Sequence, residues 1–116
     1  MRNLVWIKDN GLWCNLLKLN LNHSHFENLN GVYIIWHGGK QPATVRIGQG
    51  VIKDRLSNHR SEQEILAFSN LGLLVTWAQT NKQELDGIER YLAESLNPKV
   101  GDRFPTVYPI QVNLPW

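Results

Sequence analysis

The sequence holds a single cysteine, Cys14, so no intrachain disulfide can form and a thiolate metal centre has no second sulfur. That scarcity makes a reducing cytoplasm the expected setting. No apolar run approaches the roughly 20 residues needed to span a bilayer, so no membrane partner is expected. The opening residues Met1-Arg2-Asn3-Leu4 lack the apolar region and cleavage site of a secretory leader. Charge of one sign is also scarce. A net charge of +2 is too small for non-specific coating of nucleic acid. There is no internal repeat and no low-complexity segment. Gly48-Gln49-Gly50 lacks the third glycine and the preceding parallel βαβ unit of a dinucleotide fingerprint, so no nucleotide cofactor is expected.

What is present describes an ordinary globular chain. Hydrophobic residues at 42% and charged residues at 19% suit one domain over 1–116 with a modest core. The charge is unevenly spread. Between Lys40 and Arg60 lie five cations (Lys40, Arg46, Lys53, Arg55, Arg60) and one anion, Asp54, for a local +4. Such a cluster on a nearly neutral protein fits a site that grips one phosphate better than a long electrostatic track.

Leu4–Lys8 and Leu12–Leu17 flank the turn signal Asp9-Asn10-Gly11, which predicts an N-terminal β-hairpin over 4–17. Asn20–Asn30 is polar and reads as a surface loop. Gly31–Trp36 and Ala43–Ile47 are predicted core strands, joined by an exposed loop at His37–Pro42. A helical period begins at Val51, with Ile52, Leu56 and His59 following. Ser61-Glu62-Gln63-Glu64 has the form of a capping box and predicts a short helix over Glu62–Phe68. Leu73–Ala78 is a third core strand, apolar on both faces. Thr80 and Asn81 offer caps for a helix from Lys82 to Leu96, ended by Asn97-Pro98. An extended tail follows. Its final Trp116 predicts a packed terminus.

Three features carry chemical interest. Arg55 and His59 are four apart on one helix and project from one face. In an arbitrary protein that pair is most simply a helix edge, with arginine laid over the core and histidine half exposed. Glu89 shares a face with Leu85 and Leu92, and a carboxylate drawn toward a core costs several kcal/mol without compensation. An ion pair with Arg55, Arg90 or Arg46 accounts for it as well as a metal does. Gly87 costs about 1 kcal/mol in a helix relative to alanine, which points to close backbone approach or to a tolerated defect. His23-Ser24-His25 has chelating spacing but no acidic or thiol company, and a surface loop pair is the simpler reading. Trp6, Trp36 and Trp77 fall in predicted strands, where core packing explains them better than base stacking.

Taken in order, these residues resemble the GIY-YIG nuclease superfamily. The first signature is Gly31-Val32-Tyr33 and the second is Arg46-Ile47-Gly48, after a hairpin turn. The family's helix arginine falls on Arg55, the histidine one turn later on His59, and the metal-binding glutamate on Glu89 within Ile88-Glu89-Arg90-Tyr91-Leu92. The resemblance covers about Gly31 to Gly101, leaving the hairpin 4–17 and the tail 102–116 as additions. It implies an α/β chain of the α+β type, with a small three-stranded, mainly antiparallel sheet flanked by helices. Two positions depart from the pattern. The second signature's tyrosine is Arg46, which stays protonated and cannot act as a base. The late asparagine is Gly101, and the sequence leaves open whether Asp102 beside it compensates.

By this resemblance the expected activity is metal-dependent hydrolysis of phosphodiester bonds in nucleic acid, DNA rather than RNA. Glu89 would hold one Mg²⁺ or Mn²⁺ ion, Arg55 would neutralise developing charge, and Tyr33, helped by His59, would take the proton of the attacking water. Lys53 and Arg60 would join Arg46 in holding phosphate. Arg46 would also lower the pKa of Tyr33 through its charge. The rival expectation is a nucleic-acid-binding module of this fold with reduced or lost chemistry. A third is a protein-interaction domain that uses Trp116 and the tail.

Overall fold

The computed structural model describes residues 1–101 and 103–116; Asp102 lies outside them. Four antiparallel strands form one sheet in the order β1-β4-β2-β3. These are β1 (Cys14–Asn15), β2 (Asn30–His37), β3 (Ala43–Val51) and β4 (Leu73–Gln79). The helices are α1 (Ile52–His59), α2 (Gln63–Leu66) and α3 (Leu85–Leu96). Strand β2 is the centre, paired along its length with β3 and β4. It is apolar at nearly every position, as a strand covered on both faces must be.

Period-two alternation sorts β2 between two cores. Tyr33 and Ile35 join Leu56, Ile65, Val75 and Trp77 on the face under α1 and α2. Val32, Ile34 and Trp36 join Ile47, Ile88 and Leu92 on the face under α3. Strands β2 and β3 both outrun their predicted lengths, and β3 continues through Gly48-Gln49-Gly50 up to the start of α1. Gly48-Gln49-Gly50 is thus ladder, paired with Gly31, Val32 and Tyr33.

The N-terminal hairpin forms only at its turn. Asp9 and Leu12 exchange backbone bonds of 2.9 and 3.0 Å across Asn10 and Gly11, whose φ values of 51° and 77° suit a two-residue hairpin turn. Beyond that pair the arms bond to β4 instead. The Ile7 N–H donates to the Trp77 carbonyl at 3.0 Å, and Cys14–Asn15 pairs with Leu74 and Val75. An edge of β4 that would otherwise lie open is covered, and the sheet gains a fourth strand beyond the three expected.

The predicted helix over Glu62–Phe68 shrinks to Gln63–Leu66, and its capping box does not form. The Ser61 hydroxyl donates back to the Asn58 carbonyl at 3.1 Å. Helix α3 begins at Leu85 after a 3-10 turn at Lys82–Glu84 and closes on Asn97, held left-handed at φ 47°. Asn97 supplies the reversal that glycine more often gives.

The tail packs along α3 and back to the N-terminus. The Ile110 N–H donates to the Gly87 carbonyl at 2.9 Å, and a Cβ on Gly87 would lie 2.6 Å from the Ile110 side chain. The close approach expected at Gly87 is therefore that of the tail. Asn113 clamps Leu4, accepting from its N–H at 2.6 Å and donating to its carbonyl at 3.0 Å. Trp116 rests against Trp36 at 4.9 Å between ring centres yet stays 57% exposed. Among the described residues, no helix is long and apolar enough to cross a membrane.

Candidate active site

The register of β2 on β3 sets Tyr33 opposite Gly48. The tyrosine ring lies across β3 there, because a Cβ on residue 48 would fall 2.1 Å from the phenol oxygen and 2.4 Å from Cζ. Gly48 thus leaves the space that the Tyr33 ring occupies. Tyr33 is 1% exposed, and its hydroxyl meets His59 Nε2 at 2.5 Å. His59, on the last turn of α1, is 4% exposed, and its Nδ1 lies 3.1 Å from a Glu62 carboxylate oxygen. The three side chains form one chain of hydrogen bonds running inward from β2 and out again past α1.

Helix α1 starts directly from β3, which carries Arg55 back over the strand it came from. Arg55 Nε donates to the Gln49 carbonyl at 3.0 Å. Gln49 points to the other face. Its amide nitrogen donates to Asp86 at 2.6 Å and to Glu89 at 2.9 Å, so the end of β3 is tied to α3. Tyr33, Arg46, Arg55, Asp86, Glu89 and Arg103 line one open cavity of about 400 Å³ at the β3 edge. His59 does not line it. It stands behind Tyr33.

Arg46 occupies the far wall. A Cβ on Gly101 would fall 2.2 Å from an Arg46 terminal nitrogen, and Gly101 has φ 95°. Arg46 and Gly101 are therefore coupled by packing, since the arginine lies where a side chain at residue 101 would begin. Among the described residues, Arg46 Nε is buried with no hydrogen-bond partner. A buried donor left unpaired costs about 1–3 kcal/mol.

Two of the residues expected to hold phosphate, Arg60 and Lys53, do not line the cavity. Arg60 donates to the carbonyls of Leu16, at 2.8 Å, and Leu19. It ties α1 to the N-terminal segment. Lys53 is exposed on α1 and does not line the cavity. Among the described residues, Glu89 makes no ion pair. Arg90, one of its proposed partners, bonds to Glu94 at 2.7 Å, while Arg46 and Arg55 share the cavity with Glu89 without pairing. His25 Nε2 accepts the Trp77 indole N–H at 3.0 Å, so the loop histidine serves the core.

Protonation follows from these surroundings. Burial pushes the Tyr33 phenol up to about 12, against the pull of Arg46 and Arg55. The expected lowering by Arg46 is thus real in direction and outweighed. Burial lowers His59 from its ordinary value, and the Glu62 carboxylate opposes that shift. Burial raises Glu89, with the Gln49 amide, Arg46 and Arg55 drawing it back and Asp86 adding to the rise. A carboxylate at 8% exposure held by one neutral amide is short of positive charge.

Gln49, Asp86 and Glu62 were not singled out from sequence. Asp86 and Glu62 had a usable signal, each lying three residues from a candidate, Glu89 and His59 respectively, which is one helical turn. Arg103 had none, because it reaches the cavity from an extended tail. Comparison with protein-family models, with curated proteins and with solved structures found no match to this chain.

Proposed function

We propose that this domain is a metal-dependent endonuclease-like phosphodiesterase acting on nucleic acid, with DNA as the leading substrate. The observation that carries the reading is the meeting of Tyr33, Arg46, Arg55 and Glu89 around one cavity, from elements far apart in the chain. Arg46 and Arg55 bind the phosphate and offset charge developing on its non-bridging oxygens. The Tyr33 hydroxyl stands at the cavity wall to receive the proton of the attacking water.

The acidic side suits a hard divalent cation. Glu89 and Asp86 supply carboxylate oxygens one turn apart, and Glu89 lacks a cationic partner among the described residues. Mg²⁺ is commonly held by one or two carboxylates together with substrate phosphate. When bound, such an ion polarises the phosphodiester and supports the leaving oxygen. Glu89 would be its principal ligand and Asp86 the second. Gln49 holds both carboxylates in place.

The test is cleavage of supercoiled plasmid and of single-stranded DNA and RNA oligonucleotides with Mg²⁺ or Mn²⁺, comparing wild type with Glu89→Ala. Cleavage by wild type that falls about a thousandfold or more in the variant is expected, given the size of metal-assisted charge stabilisation. Equal background in both proteins sinks the enzyme reading. A second reading is favoured by the arginine at position 46. A guanidinium stands where the family places a second tyrosine, which fits a phosphate-gripping module with reduced chemistry. Salt-dependent binding without cleavage selects it. Failure to bind any nucleic acid leaves a protein-interaction domain with Trp116 on its surface.

A further inference from the structure

Glu62 is a side chain that the proposed chemistry has not yet used. It occupies the N-cap position of α2 but makes no capping bond with its side chain. The carboxylate turns instead to His59 Nδ1 at 3.1 Å, back across the turn between α1 and α2. A carboxylate with no proton can only accept, so the bond places the imidazole proton on Nδ1. Nε2 is left as a lone pair, facing the Tyr33 hydroxyl at 2.5 Å. Without Glu62 the neutral ring is free to carry its proton on Nε2, and it then donates to Tyr33 in place of accepting from it.

We propose that Glu62 is a positioning residue that fixes His59 in its Nδ1–H form, so that the Tyr33 phenol relays the proton of the attacking water to His59 Nε2. The inference rests on the phosphodiesterase reading above. His59 sits behind Tyr33 and does not line the cavity, so it cannot touch the water itself. Tyr33 reaches the cavity, but a phenol held near 12 is not a phenolate at neutral pH. The two residues therefore work only in series. As the water oxygen bonds to phosphorus, its proton passes to the Tyr33 oxygen while the Tyr33 proton passes to Nε2. The phosphorus–oxygen ester bond breaks in the same displacement, and the leaving oxygen carries away the electron pair. His59 becomes an imidazolium beside the Glu62 carboxylate, which offsets its charge. Solvent resets the relay by taking the imidazolium proton. The charged groups bearing on His59 are Glu62, which favours its protonation, and Arg46 and Arg55, which oppose it.

Single-turnover cleavage by full-length wild type, Glu62→Gln and Glu62→Ala is measured across pH 5 to 9, together with DNA affinity in Ca²⁺. Glu62→Ala is expected to cleave about 10- to 100-fold more slowly at unchanged affinity, the usual scale for an orienting partner of a histidine. Its acid limb moves to lower pH, because the carboxylate that favours protonated His59 is gone. Glu62→Gln recovers part of the rate, since its carbonyl oxygen still accepts from Nδ1–H. A wild-type rate and profile in Glu62→Ala overturns the relay while leaving the phosphodiesterase reading intact. Absence of Glu89-dependent cleavage in wild type overturns that reading first. The positioning half is then read without activity, from ¹⁵N chemical shifts of the His59 ring. Nδ1–H in wild type with loss of that preference in Glu62→Ala is expected, and Nε2–H in wild type overturns it.

Discussion

The two faces of the sheet treat their polar groups in opposite ways. Under α1, Tyr33, His59 and Glu62 satisfy one another in an unbroken run, and the buried phenol and imidazole both have partners. Under α3, Glu89 is nearly as buried, yet a single neutral amide from Gln49 is its hydrogen-bond partner among the described residues. A closed network of this kind fixes a geometry, whereas a buried carboxylate short of positive charge retains affinity for a cation. One face is finished in the folded chain. The other leaves its carboxylate uncompensated.

The largest expected effect that tests this contrast is alkaline. The folded Tyr33 pKa near 12 stands above its ordinary value of 10, so the folded state keeps its proton longer than the unfolded chain does. The stabilisation is intact below pH 10 and is lost as pH rises toward 12. A shift of that size corresponds to on the order of 3 kcal/mol. Urea titrations at pH 9 and 11.5 should show the loss in wild type and much less of it in Tyr33→Phe. Equal loss in both would mean that the phenol is not closed off.

Next is Gly48→Ala, expected to cost about 2 kcal/mol, the middle of the range for overpacking. The added methyl meets a rigid ring rather than a flexible side chain, so Tyr33 must leave His59. Thermal unfolding gives the cost, and the tyrosine absorbance titration should move back toward 10. On the opposite face the sign reverses. Glu89→Gln removes a carboxylate whose pKa burial has raised, so its Tm at pH 7 should rise without added cation. A fall in Tm would show that Glu89 is already compensated within the fold.

The acid side gives a further check. Folded His59 resists protonation, so stability present at pH 7 should fall as pH drops below the ordinary 6.5, and His59→Gln should flatten that slope. The smallest effect belongs to Gly87→Ala, where α3 meets the tail. Crowding against Ile110 destabilises, while alanine gains about 1 kcal/mol of helix propensity, so the net change should lie within about 1 kcal/mol. Faster hydrogen exchange at the Ile110 amide is the specific sign, because its bond to Gly87 loosens.

Much of this was legible in the residues. The three core strands, α1 and α3 follow from apolar periodicity and from Asn97-Pro98, since each depends on neighbours within a few positions. Arg55 and His59 on one helix and Glu89 on an apolar stripe are local facts too. Arg60 shows where such reading stops. Its place in the basic cluster is plain in the sequence, but two of its guanidinium nitrogens bond the carbonyls of Leu16 and Leu19, more than forty residues earlier. The failed box at Ser61 and Glu64 has the same origin, with local capping chemistry overridden by the turn between α1 and α2.

The sequence by itself determined the α+β character, the strand and helix identities, and the supply of tyrosine, arginine, histidine and carboxylate. Backbone propensity and side-chain period are short-range and need no tertiary contact. Only the tertiary structure decided which of those groups meet. It laid Tyr33 across Gly48, set Arg46 over Gly101, turned Glu62 toward His59 and left Glu89 facing the cavity. The reason is physical. Strand register and the exclusion of overlapping atoms act between residues remote in the chain, and a one-residue slip of β3 would send every one of its side chains to the other face.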